Sequence, residues 1–189
     1  MELTKQQEIL KLIFKDFLTF YNSRSISKKI KISHVGAFKI LKNLEKNEIV
    51  KPKRIGKAII YSINKENPLT LKEIEIILII ESQNYKRWIE EFKSIKEKAE
   101  FVILFGSILK KGAYARDIDL LVIAKKENFR DINKLINERQ NFLNKKIHLI
   151  LQSLEEFKQD LEKKNKTIME IIRTGVVLFG QDKFIEVLK

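Results

Sequence analysis

The segment FVILFGSILKKGAYARDIDLLVI, residues 101–123, decides how the second half of the chain folds. Its first apolar run ends at Gly106-Ser107, and a second apolar run opens with Asp117 and Asp119. This pattern predicts a strand, a turn and a second strand. Because side chains two residues apart on a strand leave the same face, we expect both carboxylates to project together.

The residue types at the turn suit a phosphate, and those on the second strand suit a metal ion. Gly106 lets the backbone approach a phosphate closely, and Ser107 adds a hydroxyl where a following helical turn presents N–H groups. Two neighbouring carboxylates suit Mg²⁺, alone or as a pair of ions about 3.5–4 Å apart that clamps a transferring phosphoryl group. The segment therefore predicts nucleotidyl transfer from a nucleoside triphosphate. The alternative is a hairpin that carries two solvated acids.

The same segment resembles the signature of the DNA polymerase β-like nucleotidyltransferases, particularly their minimal members. The resemblance covers about residues 85–189 and rests on Gly-Ser, a basic-Gly step at Lys111-Gly112, and Asp-Ile-Asp-Leu-Leu-Val. It implies a site that holds the triphosphate beside a catalytic metal. It implies that Gly106 and Ser107 hold the nucleotide and that Asp117 and Asp119 serve catalysis and bind Mg²⁺. Lys110 and Lys111 follow the bend and are expected to neutralise the charge of the nucleotide.

Two residues depart from the family pattern. Arg116 stands where the family often has Ser, and His148 stands on a predicted strand, Ile147–Leu151, where active members usually carry a third acid. A neutral imidazole can accept a proton or ligate a metal, but it adds no negative charge. His148 can equally be a packed or surface histidine. Whether the domain is a catalytic nucleotidyltransferase or a degenerate one stays open at this point.

Composition bounds the remaining possibilities. The 189 residues carry a formal charge of +13, and residues 1–67 hold 15 Lys/Arg against 6 Asp/Glu, so the basic excess belongs mainly to the first third. The absence of cysteine excludes disulfides and thiolate metal sites. The strongest apolar run, Ile76–Ile80, is too short to span a bilayer, and the start of the chain does not read as a secretory signal. We therefore expect a cytoplasmic protein with no membrane association.

The basic first third has the pattern of three helices followed by a hairpin. The pattern predicts a helix over 4–20 capped by Thr4, a short helix over 25–31, a helix over 33–47, and a hairpin over 49–63. The first of these helices has an apolar stripe formed by Leu10, Ile13, Phe14 and Phe17. Residues 4–64 are similar to winged helix-turn-helix DNA-binding domains of bacterial and archaeal regulators, although Glu48 stands where Gly is common.

This winged helix is expected to bind double-stranded DNA. Polar residues near the start of the third helix face outward and suit the major groove, and the hairpin carries four cations and no anion. The alternative is a winged helix used only for protein contacts. The predicted DNA-binding residues are Ser33, His34, Lys39, Lys42 and Asn43 on the helix, and Lys51, Lys53, Arg54 and Lys57 on the hairpin.

The chain as a whole is predicted to be α+β, with a mixed sheet flanked by helices in its second half. We expect a winged-helix domain over 1–67, linker helices over 68–98 and a nucleotidyltransferase-like domain over 99–189. Thr70 with Glu73 predicts a capping box at the start of the linker. The stripe formed by Tyr85, Trp88, Ile89 and Phe92 is expected to pack on the sheet, and the alternative is a dimer helix.

Three functions are compatible with these patterns. The first is a DNA-binding protein whose second domain binds a nucleoside triphosphate and Mg²⁺ and transfers a nucleotidyl group. The second is a transcriptional regulator with a degenerate transferase domain. The third is the antitoxin of a toxin–antitoxin pair, because the resemblance implies that minimal transferases often pair with a helical toxin. A homodimer is expected because winged-helix proteins often read two half-sites.

Overall fold

The computed structural model describes residues 2–189 and divides them into two compact units, Glu2–Ile77 and Leu78–Lys189. The division falls inside one helix, within the range predicted to form linker helices. The fold class is α+β, as predicted. The first unit contains the three helices and hairpin of a winged helix-turn-helix, and the second contains a four-stranded mixed sheet flanked by helices.

Side-chain caps define the start of each helix in the first unit. Thr4 accepts a hydrogen bond from the Gln7 amide, and Asn22 and Ser33 cap the next two helices in the same way. The hairpin strands pair antiparallel, with Val50 opposite Ile63. The elements of this unit are α1 Lys5–Lys15, α2 Ser23–Ile30, α3 His34–Lys46, β1 Val50–Ile55 and β2 Ala58–Ile63.

The first helix is shorter than the prediction of residues 4–20. α1 ends at Lys15, and Asp16 leaves the helical conformation. The Asp16 carboxylate accepts hydrogen bonds from the hydroxyls of Thr19, at 2.9 Å, and Tyr21, at 2.7 Å, so it holds a turn where the helix would otherwise continue. Phe17 consequently leaves the buried stripe and is 39% exposed.

The predicted capping box at Thr70 is wrong. The fourth helix, α4, runs Pro68–Gln83 and begins three residues before the start that a cap at Thr70 predicts, because proline fits the first turn of a helix and the Asn67 side chain accepts from the Leu69 amide at 2.9 Å. Thr70 is therefore buried inside the helix. Glu73 instead accepts a hydrogen bond from the side chain of Gln6 at 3.3 Å.

The second unit is built on a sheet with the strand order β5-β4-β3-β6. The strands are β3 Ala99–Phe105, β4 Asp117–Ala124, β5 Lys146–Gln152 and β6 Val176–Phe179. The helices are α5 Lys86–Glu91, α6 Ile108–Lys111, α7 Phe129–Gln140, α8 Leu154–Glu162, α9 Lys166–Thr174 and α10 Gln181–Leu188. β3 is antiparallel to β4 and β6, whereas β4 and β5 run parallel and are joined through α7.

The two faces of this sheet pack against different partners. Leu104, Leu120 and Val122 on one face belong to a core that includes Trp88 and Phe92, so the predicted packing of that aromatic stripe on the sheet is confirmed. On the other face Phe101 contacts Phe157 and Phe184 edge to face, with ring centroids 5.3 and 5.5 Å apart. Alternate residues of β4 therefore belong to different layers, and this places the two aspartates on the Phe101 face.

Candidate functional site: a nucleotide site and a nucleic-acid interface

Asp119 and Gly106 come together where β3 ends and β4 begins. The antiparallel register places Phe105 opposite Asp119, so the next residue, Gly106, lies beside the carboxylate. Gly106 has φ +77°, and a Cβ built on it would lie 2.0 Å from Oδ2 of Asp119. A side chain at this position would force the Asp119 carboxylate to move, because the carboxylate lies directly against the glycine. Asp117 leaves the same face of β4 two residues earlier.

His148 occupies the next strand at the level of Asp119. The parallel register of β4 and β5 pairs Asp119 with His148 and Asp117 with Lys146. The Nδ1 atom of His148 lies 3.3 Å from Oδ1 of Asp119, and neither side chain is fully buried. The imidazole thus stands beside the aspartate, where the sequence analysis expected the missing acid.

A cavity of about 620 Å³ opens on the other side of the Gly106-Ser107 bend. The single-turn helix α6 follows the bend. Among residues 2–189, the Ser107 hydroxyl makes no capping hydrogen bond to this helix. Tyr85 also lines the cavity, and its partial burial raises the pKa of the phenol. The four predicted nucleotide residues, Gly106, Ser107, Lys110 and Lys111, all line it.

The lining also includes acids that the sequence analysis did not single out. Glu81 at the end of α4 and Glu170 on α9 both face the cavity. Neither belongs to a recognisable motif, and Glu170 is more than 60 residues from the bend in the chain, so only the fold brings it there. Asp117 and Asp119 do not line this cavity. The contact between Asp119 and Gly106 is what joins the acid pair to it.

The donor set fits one hard cation better than a closed metal cage. No group of three metal-ligating side chains gathers anywhere in residues 2–189. Asp117 and Asp119 are both partly exposed and share a face. Mg²⁺ usually keeps several waters and binds through one or two carboxylates together with substrate phosphates. The two aspartates would therefore hold Mg²⁺ in company with a bound triphosphate.

Comparison with protein families decides the identity of this unit. The family described as polymerase beta nucleotidyltransferase matches residues 86–184. The chain belongs to this nucleotidyltransferase family. The match includes the glycine-serine bend, both aspartates and His148, and it is consistent with the resemblance noted in the sequence.

Other comparisons add little to this nucleotidyltransferase assignment. No curated protein matches the sequence significantly. Two solved structures of ZitR mutants from Lactococcus lactis are 16% identical to this chain and align over 76% of it and 77% of their own length. Their TM-scores are 0.34 and 0.35, and values this low carry no argument about fold or function.

The winged-helix unit presents most of the predicted DNA-binding residues to solvent, but two of them serve its own structure. The Ser33 hydroxyl accepts from the Gly36 amide at 3.0 Å and so caps α3. The Nε2 atom of His34 lies 3.0 Å from the Ser23 hydroxyl. Ser33 and His34 therefore stabilise the start of α3. Contact with DNA would have to use polar groups that already make these hydrogen bonds.

Two predicted DNA-binding lysines are held by acids of the same unit. Lys42 donates to Glu45 at 2.8 Å, and this bond raises the pKa of the lysine. Lys51 donates to Glu66 at 2.5 Å, and this bond lowers the pKa of Glu66. Within residues 2–189, Lys39, Lys53 and Lys57 make no such ion pair. The free cations of the hairpin therefore lie toward its tip.

The outward face of α3 also carries two exposed apolar side chains. Val35 is 61% exposed and Phe38 is 43% exposed. Both lie off the buried stripe of Ala37, Leu41 and Leu44, and their spacing from that stripe in the sequence already indicates that they face outward. An exposed apolar side chain on such a helix suits contact with a thymine methyl group.

None of the helices among residues 2–189 combines the length and the apolar character needed to cross a lipid bilayer.

Proposed function

We propose that the nucleotidyltransferase domain binds a nucleoside triphosphate with Mg²⁺ and transfers its nucleotidyl group to an acceptor hydroxyl. The observation that carries the proposal is the Asp119 carboxylate resting against the backbone of Gly106. This contact places an anionic ligand for a cation directly beside the glycine-serine bend that lines the cavity. A hairpin with two solvated acids would not require glycine at that position.

The residues take separate parts in the proposed transfer. Gly106 and Ser107 bind the phosphates, and Lys110 and Lys111 offset their charge. Asp117 and Asp119 would hold Mg²⁺, which when bound would supply positive charge against the phosphates. The acceptor oxygen bonds to the α-phosphorus, the bond to the β-phosphate oxygen breaks, pyrophosphate leaves, and the hydroxyl proton passes to solvent. The cavity beside Ser107 has a volume typical of small-molecule sites and is available for the nucleoside.

Label transfer tests the catalytic proposal. The full chain is incubated with each α-labelled nucleoside triphosphate, Mg²⁺ and cell extract, beside the Asp117→Asn, Asp119→Asn double variant. Asp182→Asn, on α10, is the matched control, because it removes the same charge elsewhere in the unit. Transfer by the wild type and the control, but not by the double variant, supports the proposal. Transfer that survives in the double variant contradicts it.

We also propose that the winged helix binds duplex DNA through α3 and the hairpin. The basic excess of the first third and the unpaired lysines of the hairpin support this assignment. Binding should weaken steeply with salt, since each phosphate contact releases counterions. The wing variant, defined as Lys53→Ala, Arg54→Ala, Lys57→Ala, should lose affinity and flatten the salt dependence. Lys5→Ala, on α1, is the control, and equal binding by all three proteins would contradict the proposal.

A second candidate function is a DNA-binding regulator whose transferase domain binds nucleotide without turning it over. The specific observation in its favour is His148 beside Asp119, which leaves the site one negative charge short of the pattern implied for active members. In this case nucleotide binding and DNA binding are both retained, but no label is transferred under any condition. Measuring transfer and DNA retention on the same preparation separates the two candidates.

A further inference from the structure

A cavity of about 300 Å³ opens in the first unit, between the end of α1, the segment that follows it and the hairpin. We call it the α1–hairpin cavity, and all of its lining residues belong to Glu2–Ile77. This volume lies at the lower end of the range of small-molecule sites, so the cavity has room for a small apolar body. Its apolar wall consists of Ile13, Phe14, Phe17, Phe20, Ile60 and Ile63.

The segment beside the cavity is held at both ends. The Asp16 carboxylate accepts a hydrogen bond from the Tyr21 hydroxyl at 2.7 Å, and the Tyr61 amide donates to the Tyr21 carbonyl at 2.8 Å. Between these anchors, Phe17 and Phe20 stay 39% and 72% exposed. Because burial of an aromatic ring would stabilise the fold, two rings left at the mouth of an apolar cavity favour a ligand that covers them.

Two lysines supply the charge of the cavity. Lys53, on β1, and Lys65, just after β2, both line it, and the part of the chain that the structure describes adds no carboxylate to the lining. The pKa of Lys65 is lowered because partial burial removes water from its ammonium group. A ligand carrying a negative charge would compensate for that lost water.

The lining selects the chemical class of the ligand. An apolar wall with two lysines suits a molecule that has an apolar body and one anionic end. A cationic ligand would be repelled, and a neutral one would leave both ammonium groups without a use. A nucleoside triphosphate is excluded because the cavity is small and its wall is mainly apolar.

Lys53 connects the cavity with the proposed DNA surface. It is one of the hairpin cations to which phosphate contact is assigned, and its side chain also lines the cavity. A lysine carries a single ammonium group on a flexible stem. That group cannot bind a carboxylate in the cavity and a DNA phosphate outside it at the same time, so the two ligands would exclude each other there.

We propose that the α1–hairpin cavity binds a small carboxylate with an apolar body, and that this ligand competes with duplex DNA for Lys53. The apolar body lies among the phenylalanines and isoleucines of the wall, and the carboxylate faces Lys53 and Lys65. The binding site stands on the cavity alone, whereas the competition rests on the proposed DNA binding. The ligand lowers DNA affinity only as far as it prefers the DNA-free protein.

Calorimetric titration of the full chain without DNA tests the binding site. The probes are octanoate, 1-octanol and octylammonium, which share an apolar chain and differ in the charge of the head group. Lys53→Met and Lys65→Met each remove an ammonium group and keep an apolar stem of similar shape. Lys29→Met, at an exposed position of α2, is the matched control.

We expect octanoate to bind at one site per chain, roughly fivefold or more tightly than either other probe. Lys53→Met and Lys65→Met should each weaken octanoate and leave 1-octanol unchanged, because only the charge contact is lost, and Lys29→Met should bind like wild type. No octanoate binding, or octanoate binding that is equal in all variants, overturns the inference. A fall in sedimentation coefficient caused by Phe20→Ala also overturns it, because a second copy of the chain would then cover the rim.

Fluorescence anisotropy with duplex DNA tests the competition. Sodium octanoate is compared with sodium chloride at the same ionic strength, so that screening of phosphate contacts is equal. Octanoate should weaken DNA binding by the wild type roughly threefold or more and have a smaller effect on Lys53→Met. An equal effect on the two proteins, or none on the wild type, overturns the competition.

Failure of the inference can be told apart from failure of the proposed DNA binding. Octanoate binding that depends on Lys53 and Lys65, in a chain that retains no duplex DNA, removes the DNA-binding proposal and leaves the cavity as a ligand site. Salt-dependent DNA binding by a chain that does not bind octanoate removes the cavity proposal alone.

Discussion

The Nδ1 atom of His148 lies 3.3 Å from Oδ1 of Asp119 on the neighbouring parallel strand. The contact occupies one of the two carboxylate oxygens that a cation would share. In the proposed metal site, His148 would therefore either ligate the ion or orient the aspartate.

His148→Asp should strengthen binding of Mg²⁺. A carboxylate at this position adds a negative charge within a few ångströms of Asp119 and supplies another hard oxygen ligand. We expect the Kd for Mg²⁺, measured calorimetrically with a non-hydrolysable nucleoside triphosphate present, to fall about tenfold or more. His148→Asn, which is polar and uncharged, is the control. An unchanged Kd in His148→Asp would mean that this strand does not take part in the metal site.

Gly106→Ala should destabilise the protein and disturb Asp119. The new Cβ would meet Oδ2 of Asp119 at 2.0 Å, and the backbone is in the left-handed region. Gly112→Ala is a control for the positive φ, since Gly112 has φ +51° but has no atom within 4 Å of the new Cβ. A positive φ strains alanine in either variant, and the clash with Asp119 adds to that strain only at Gly106. Urea unfolding measures the free energy of unfolding of both variants. An equal decrease in the two would show that Asp119 moves away from the new Cβ without cost.

Glu66→Gln should tighten DNA binding, because it frees Lys51 for a phosphate. The ion pair between these residues is exposed and therefore weak, so we expect an increase in affinity of roughly twofold to fivefold. Glu8→Gln removes the same charge from the pair with Lys5 on α1 and serves as the control. Fluorescence anisotropy with duplex DNA measures both, and an equal gain in the two variants would assign the effect to net charge.

The advantage of Glu66→Gln should also depend on pH. The hydrogen bond from Lys51 lowers the pKa of Glu66, so the wild-type pair persists at neutral pH and breaks only as the pH falls through that lowered pKa. The difference in DNA affinity between wild type and variant should therefore be largest near neutral pH and should disappear below the lowered pKa of Glu66. A difference that grows on acidification would contradict this account.

Glu156→Gln should reveal the capping box of α8 as a pH-dependent source of stability. The Ser153 amide donates to the Glu156 carboxylate at 2.7 Å, and this bond lowers the pKa of the carboxyl. Because the pKa of Glu156 is lower in the folded state, the ionised carboxylate stabilises the fold at pH values above the ordinary pKa of glutamate. That stabilisation is lost as the pH falls through the lowered pKa. Urea unfolding at several pH values should show a loss in Glu156→Gln near neutrality that vanishes in acid, whereas Glu162→Gln on the same helix shows none.

The core of the candidate site was predictable because it depends on local rules. The two-residue period of a strand places Asp117 and Asp119 on one face, and a glycine before a serine marks the bend that meets them. The predicted strand Ile147–Leu151 also placed His148 correctly in the fold, since a helix of the length of α7 fits a crossover between parallel strands. The roles of these residues remain predictions.

The elements that the sequence misjudged depend on where helices end. Phe17 continues the apolar pattern of the predicted first helix, yet α1 stops at Lys15, so the ring lies partly in solvent. At Asp16 a side chain competes with the backbone for hydrogen bonds, and Asn67, three residues before Thr70, caps the fourth helix in its place. Such competition is settled by tertiary structure.

The parallel pairing of β4 and β5 also has a consequence for synthesis on the ribosome. Asp119 and His148 are 29 residues apart and meet only after the crossover through α7 is complete. A nascent chain that has emerged as far as β4 already carries both aspartates, but His148 on β5 has not yet emerged beside them. The finished site is therefore a late product of translation, and the winged-helix segment is made well before it.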